Sequence, residues 1–143
     1  MSQVPGKTRL LNFFSWNKDY YLADLPGYGF SKRSGDEQAS WQKMIEGYLT
    51  QREQLKVFVL IMDVRRKWTE DEEMLVKLFQ SRNSKIAIVL SKTDKIGGNP
   101  RRETLKKMKQ LKPDLNFFVL SNHNKQGLEE VKKWMLDSLK EAS

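Results

Sequence analysis

Apolar positions along the chain fall into short runs that alternate with periodic stretches. Leu10 to Trp16 and Tyr20 to Leu25 are apolar-rich, and only Asn17, Lys18 and Asp19 part them. That arrangement predicts a β-hairpin closed by a tight polar turn. Pro26-Gly27-Tyr28-Gly29, running on to Gly35, predicts a loop with backbone freedom. From Asp36 to about Gln54, residues Trp41, Met44, Ile45, Tyr48 and Leu49 share one helical face. Val57 to Met62 is a continuous β-branched and aromatic run, expected as a buried strand of a parallel sheet. Thr69 and Glu72 have capping-box spacing, ahead of a helix that turns Met74, Leu75, Leu78 and Phe79 inward. Ile86 to Leu90 predicts a second buried strand. Asn99-Pro100 predicts a helix start with Asn as the cap. Leu105, Met108 and Leu111 form the narrow apolar stripe of that basic helix. Phe117 to Leu120 predicts a last short strand, and Leu128, Val131, Met135 and Leu139 a terminal helix. Strict alternation of strands and helices predicts an α/β fold, with a mostly parallel sheet and helices on both faces. No repeat or linker interrupts it, so residues 1–143 are expected to form a single domain.

Composition narrows the chemistry. The chain has no cysteine and a single histidine, His123, which excludes a disulfide scaffold, thiol catalysis and a multi-His metal site. The longest apolar run is too short to span a membrane, and residues 1–9 hold no apolar stretch of the secretory kind. No membrane association is expected, and a cytoplasmic or organellar-matrix location is. The formal net charge of +8 is uneven. Residues 1–34 carry +3, residues 35–94 are neutral, and residues 95–143 carry +5. Solvated helix faces account for any single cluster, but a polyanion surface is favoured if the two ends meet.

In open α/β sheets, ligands bind beyond the carboxyl ends of the strands. Asp24-Leu25-Pro26-Gly27 follows one predicted strand, Ser91-Lys92-Thr93-Asp94 another, and Ser121-Asn122-His123 the last. A carboxylate at Asp24 can hold Mg²⁺ through water. Gly27 lets a bare backbone N–H approach a terminal phosphate. The two oxygens of Asp94 match the adjacent N1–H and 2-amino donors of guanine, a pair that adenine lacks. The methylene stem of Lys92 can lie along a base plane. Each motif alone is weak; in this order and at these strand ends they form a specific set.

Asp24-Leu-Pro-Gly-Tyr-Gly29 resembles the metal- and γ-phosphate-sensing motif of P-loop GTPases, and Ser91-Lys-Thr-Asp94 their guanine-specificity motif, with Ser where most members have Asn or Thr. Ser121-Asn122 resembles the loop that donates a backbone N–H to guanine O6. More narrowly, the set Pro5-Gly-Lys-Thr8, Leu11-Asn-Phe-Phe14, DLPGYG, Trp41 to Leu49 and Asp63-Val-Arg-Arg66 resembles the EngB (YihA/YsxC) family, GTPases of large-subunit ribosome assembly. The likeness runs from about residue 4 to the C-terminus. It implies a Ras-like P-loop GTPase fold, GTP or GDP as ligand and Mg²⁺ as cofactor. It also implies Thr8 as the switch I threonine of the Mg²⁺ shell, residues 5–14 as switch I and 24–36 as switch II. Lys92 and Asp94 would select guanine. Tyr28 stands where many relatives place a water-orienting Gln, so no catalytic residue is assigned.

One motif has no counterpart. Gly6-Lys7-Thr8 is the only Gly-Lys pair and lacks the glycine five residues earlier that GxxxxGK[ST] requires. The family's first strand, phosphate loop and first helix are therefore expected to be absent from this chain, whether as a truncated or alternatively started form or as a natural remnant. Nucleotide binding and hydrolysis are expected to be impaired. The strand expected between Tyr20 to Leu25 and Val57 to Met62 would be lost, leaving two unpaired edges and an uncovered sheet face. For a ribosomal or rRNA partner, Arg65, Arg66, Arg101, Arg102, Lys106, Lys107 and Lys109 are the candidate contacts. Two alternatives stand beside the GTP-binding reading: a nucleotide-independent RNA- or ribosome-binding module, and an inactive fragment.

Overall fold

The structure, a computed structural model, describes residues 12–24, 35–121 and 123–142. The chain divides into two compact units, residues 1–52 and 53–143.

In the first unit, Asn12–Trp16 (β1) and Tyr20–Asp24 (β2) pair antiparallel, with Trp16 opposite Tyr20 and Asn12 opposite Asp24. Asn17 and Lys18 take positive φ values of 52° and 68°, giving the turn the left-handed backbone a hairpin requires. The helix Gly35–Thr50 (α1) buries Trp41, Ile45, Tyr48 and Leu49 of the periodic set expected from the sequence, while Met44 is half-buried. It stops earlier than Gln54. The Thr50 hydroxyl bonds back to the Glu46 carbonyl at 2.7 Å, and the Arg52 N–H reaches only three residues back, to Leu49. The Arg52 guanidinium lies 4.3 Å from the centre of the Tyr48 ring, and Phe13 packs beside that ring.

The second unit holds three parallel strands in the order Val57–Asp63 (β3), Lys85–Ser91 (β4), Asn116–Val119 (β5). β4 is central and buried from Ile86 to Ser91. Register puts Phe58, Ile86, Ile88 and Phe117 on one face of the sheet. Glu70–Gln80 (α2) covers that face, with Phe79 stacked on Phe58 at 4.0 Å between ring centres. Phe118 points to the opposite face and packs against Trp134 of Leu128–Ala142 (α4). Helices thus cover both faces of the parallel sheet.

Two expectations need correction. β3 is not buried throughout: Phe58, Leu60 and Met62 are buried, but Ile61 is 56% exposed. Among the described residues β3 is an edge strand of its sheet, and its outward side chains lie beyond the cover that β4 receives on both faces. The third helix of the chain, Gly98–Leu111 (α3), starts before Asn99, with Gly97 at its cap. The Asn99 carboxamide accepts from the Arg102 guanidinium instead of capping. Pro100 therefore occupies the third helical position, where its missing N–H is still one of the donors with no partner inside the helix. The Thr69 capping box forms as expected: Asp71 N–H donates to the Thr69 hydroxyl, and Thr69 N–H to Glu72 at 2.6 Å.

Candidate guanine-recognition site

The carboxyl ends of β3, β4 and β5 lie side by side, so the segments leaving these three strands are brought together. Asp63 ends β3 directly opposite Ser91 at the end of β4, and the Val64 N–H extends the ladder to the Ser91 carbonyl at 2.9 Å. The buried Ser91 hydroxyl donates across to the Met62 carbonyl at 3.3 Å. A small hydroxyl fits this buried position, and its hydrogen bond ties the two strand ends together.

Lys92 comes next, with φ 58° and ψ 37°, a left-handed conformation that a long side chain adopts at a cost. A tight turn over Thr93–Lys95 closes on it through the bond from Lys95 N–H to the Lys92 carbonyl, 2.9 Å. Thr93 is buried, and its N–H donates to the Leu120 carbonyl at 3.3 Å. The neighbouring Lys92 and Asp94 are exposed. The turn is therefore anchored through Thr93 while the two polar side chains beside it face outward.

Ser121 comes to the same place from β5. It is buried, and its hydroxyl donates to Asp94 Oδ1 at 3.4 Å. Its N–H donates to the Gln126 carbonyl at 3.0 Å, and Gln126 N–H donates in turn to Asn124 Oδ1 at 3.0 Å. Gly127, at φ +91°, closes this loop, and a Cβ there would run into the Val119 carbonyl. Ser91, Lys92, Asp94 and Ser121 thus form one edge. His123 is exposed on the same loop.

Of the remaining site residues, Asp24 ends β2 in the first unit and is exposed. Thr8, Gly27 and Asn122 lie outside the described residues, as do most of residues 5–14 and 24–36 assigned to the switches. Among the described residues, no three His, Cys, Asp or Glu side chains come together as a metal cluster.

The basic candidates divide by environment. Arg66 donates to the fully buried Glu72 at 2.6 Å and also meets Asp71 and Thr69 at 3.3 Å. Burial works to raise the Glu72 pKa, but hydrogen bonds from Thr69 and Arg66 outweigh it and hold the carboxyl below its ordinary value. Arg66 is thereby committed to the start of α2. Arg65 is clasped by Asp63. On α3, Arg102, Lys106 and Lys109 are exposed at i, i+4 and i+7 spacing, one stripe, and form no ion pair with a described residue. They line a shallow depression with Leu105 and Gln110. Arg101 is half-buried on the inner side of α3, and Lys107 is exposed on another flank.

As site residues, Asp63 and Gly127 are not evident from sequence. The local signals were the Asp63-Val-Arg-Arg66 motif, to which no role was assigned, and a glycine just ahead of a helix.

The chain is similar to known proteins. The profile of the family described as 50S ribosome-binding GTPase matches residues 1–92. The probable GTP-binding protein EngB of Bdellovibrio bacteriovorus is 43% identical over 138 residues, covering 96% of this chain and 69% of the relative. Among solved structures, elongation factor SelB of Methanococcus maripaludis with a GTP analogue matches at TM-score 0.70 and 15% identity, over 93% of this chain and 28% of SelB. Era in complex with MgGDPNP and a segment of 16S ribosomal RNA matches at TM-score 0.69 and 21% identity, over 96% of this chain and 47% of Era. At these identities the structures speak to the fold alone, which is that of the Ras-like P-loop GTPases.

Proposed function

We infer the function from one premise: this chain belongs to the EngB family of GTP-binding proteins. The edge formed by Ser91, Lys92, Asp94 and Ser121 is proposed to recognise guanine. The observation that carries this reading is the left-handed Lys92 at the end of the central strand, with exposed Asp94 two residues on and Ser121 against it. Asp94 would accept from guanine N1–H and the 2-amino group, and the Lys92 stem would lie along the base. Asn122 would complete the edge at guanine O6.

Asp24, with Thr8 and Gly27, would serve the phosphate end. Mg²⁺ in such sites is held by one or two protein oxygens together with phosphates and water, so a single exposed carboxylate at Asp24 suits it and no acidic cluster is needed. When bound, the ion neutralises charge between the phosphates.

These 143 residues contain no GxxxxGK[ST] motif. Several charge-assisted phosphate contacts, each worth about 1.5–3 kcal/mol, are therefore missing from this chain's own binding. We expect its dissociation constant for GDP in the range of roughly 0.1–1 mM and its hydrolysis to be correspondingly impaired. GDP and ADP titrated in parallel, followed by NMR, test the reading. Saturable GDP binding with ADP clearly weaker supports it, and equal or absent binding of both contradicts it.

A ribosomal partner is the second part of the reading. The family description names 50S binding, and Era was solved with ribosomal RNA. The α3 stripe of Arg102, Lys106 and Lys109 is the surface we assign to RNA phosphates, with Arg101 and Lys107 flanking it. A role in large-subunit assembly is proposed from the 50S binding that the family description names.

A further inference from the structure

We propose that Asp63 is a positioning residue for the base-reading edge: it clasps the Arg65 guanidinium and draws the Lys92 ammonium toward the same carboxylate, and so leaves Asp94 clear of cations and open to the base. The inference rests on the reading of Lys92 and Asp94 as guanine-recognition residues.

The geometry is specific. Arg65 Nε lies 2.9 Å from Asp63 Oδ1 and Nη2 lies 2.7 Å from Oδ2, a two-pronged pair. The Arg65 backbone N–H donates to Oδ1 as well, at 2.9 Å. Lys92 Nζ stands 4.0 Å from the same Oδ2. Register is the cause, because Asp63 and Ser91 are opposite partners and Lys92 is the next residue. Two cations therefore share one carboxylate at the rim of the proposed base site. Asp94 forms no ion pair with a described residue and receives only the Ser121 hydroxyl.

Asp94 is nevertheless within electrostatic reach of Arg65. The guanidinium is held protonated chiefly by Asp63, with a further contribution from Asp94. Arg65 is half-exposed on a long side chain, so it has room to turn. If Asp63 lost its charge, Asp94 would be the carboxylate left for Arg65 to pair with. A two-pronged pair there would occupy both oxygens that guanine needs. Asp63 therefore protects specificity at a distance, by occupying a competitor.

A purely structural alternative exists, in which the clasp only staples the turn after β3. The two are separated by a double substitution. Asp63→Asn keeps the shape and the acceptor for the Arg65 N–H but removes the charge. We expect GDP affinity of the full 143-residue chain to fall about tenfold, the worth of one charge-assisted pair of hydrogen bonds, with ADP affinity little changed. Adding Arg65→Gln removes the competitor, and GDP affinity should return to within about threefold of wild type. NMR titration with GDP and ADP reads these dissociation constants into the millimolar range. Equal loss of both nucleotides, unchanged GDP binding in Asp63→Asn, or no recovery in the double variant would each overturn the proposal. If the wild-type chain itself does not prefer GDP, the guanine site falls and this inference falls with it. Failure confined to the variants leaves the guanine site standing.

Discussion

Asp63 and Gly127 flank the proposed base site, and each is held by a different kind of force. The Arg65 guanidinium beside Asp63 lowers its pKa from 3.8 to about 2. The folded value lies below the unfolded one, so its stabilising contribution is fully present above pH 3.8 and is lost as pH falls toward 2. Urea denaturation between about pH 5 and 2 should therefore show a stability loss in that window that is smaller in Asp63→Asn. Equal loss in both chains would mean the clasp adds nothing. Gly127 is held by sterics instead. With φ +91° and the Val119 carbonyl where a Cβ would sit, Gly127→Ala should destabilise by about 1–3 kcal/mol and shift the amide resonances of residues 121–126. An Ala variant as stable as wild type would show that the loop closes differently.

At the scale of elements, how much the sequence foretells depends on how local the cause is. The hairpin, the Thr69 capping box and the strand buried from Ile86 onward are marked by neighbours along the chain, and they form as the pattern predicts. The start of α3 does not, because two local options compete. Asn99 can cap or can accept from Arg102, and the side-chain partner wins. The exposure of Ile61 was illegible in a continuous apolar run, since it depends on where β3 lies in the sheet. The Asp63 clasp was illegible for the same reason: Lys92 joins it only through the register of β3 against β4. The motifs of the candidate site were legible by contrast, because each sits just past a strand end that the pattern had already marked. The stripe on α3 carries its own prediction. Replacing Arg102, Lys106 and Lys109 with Gln should weaken rRNA binding and flatten the plot of log affinity against log salt by roughly 2, for three lost phosphate contacts. A gel-shift series across salt concentrations measures this, and an unchanged slope would move the RNA surface elsewhere.

For the whole molecule, the uneven charge acquires a place. Of the net +8, the last 49 residues carry +5, and α3 gathers three of their cations into one exposed stripe while Arg66 is committed to buried Glu72. The polyanion surface and the base-reading edge are thus separate features of the second unit, one made by a helix face and the other by strand ends. Everything proposed for the nucleotide depends on Asp94 reading guanine. The decisive experiment substitutes Asp94→Asn and compares GDP with xanthosine diphosphate, which carries a carbonyl where guanine has its 2-amino group. A carboxamide can donate to that carbonyl where a carboxylate cannot. The wild-type chain should prefer GDP and the variant the xanthine nucleotide, a reversal of about tenfold or more in the ratio of dissociation constants. The same ratio in both chains would contradict a guanine-reading role for Asp94.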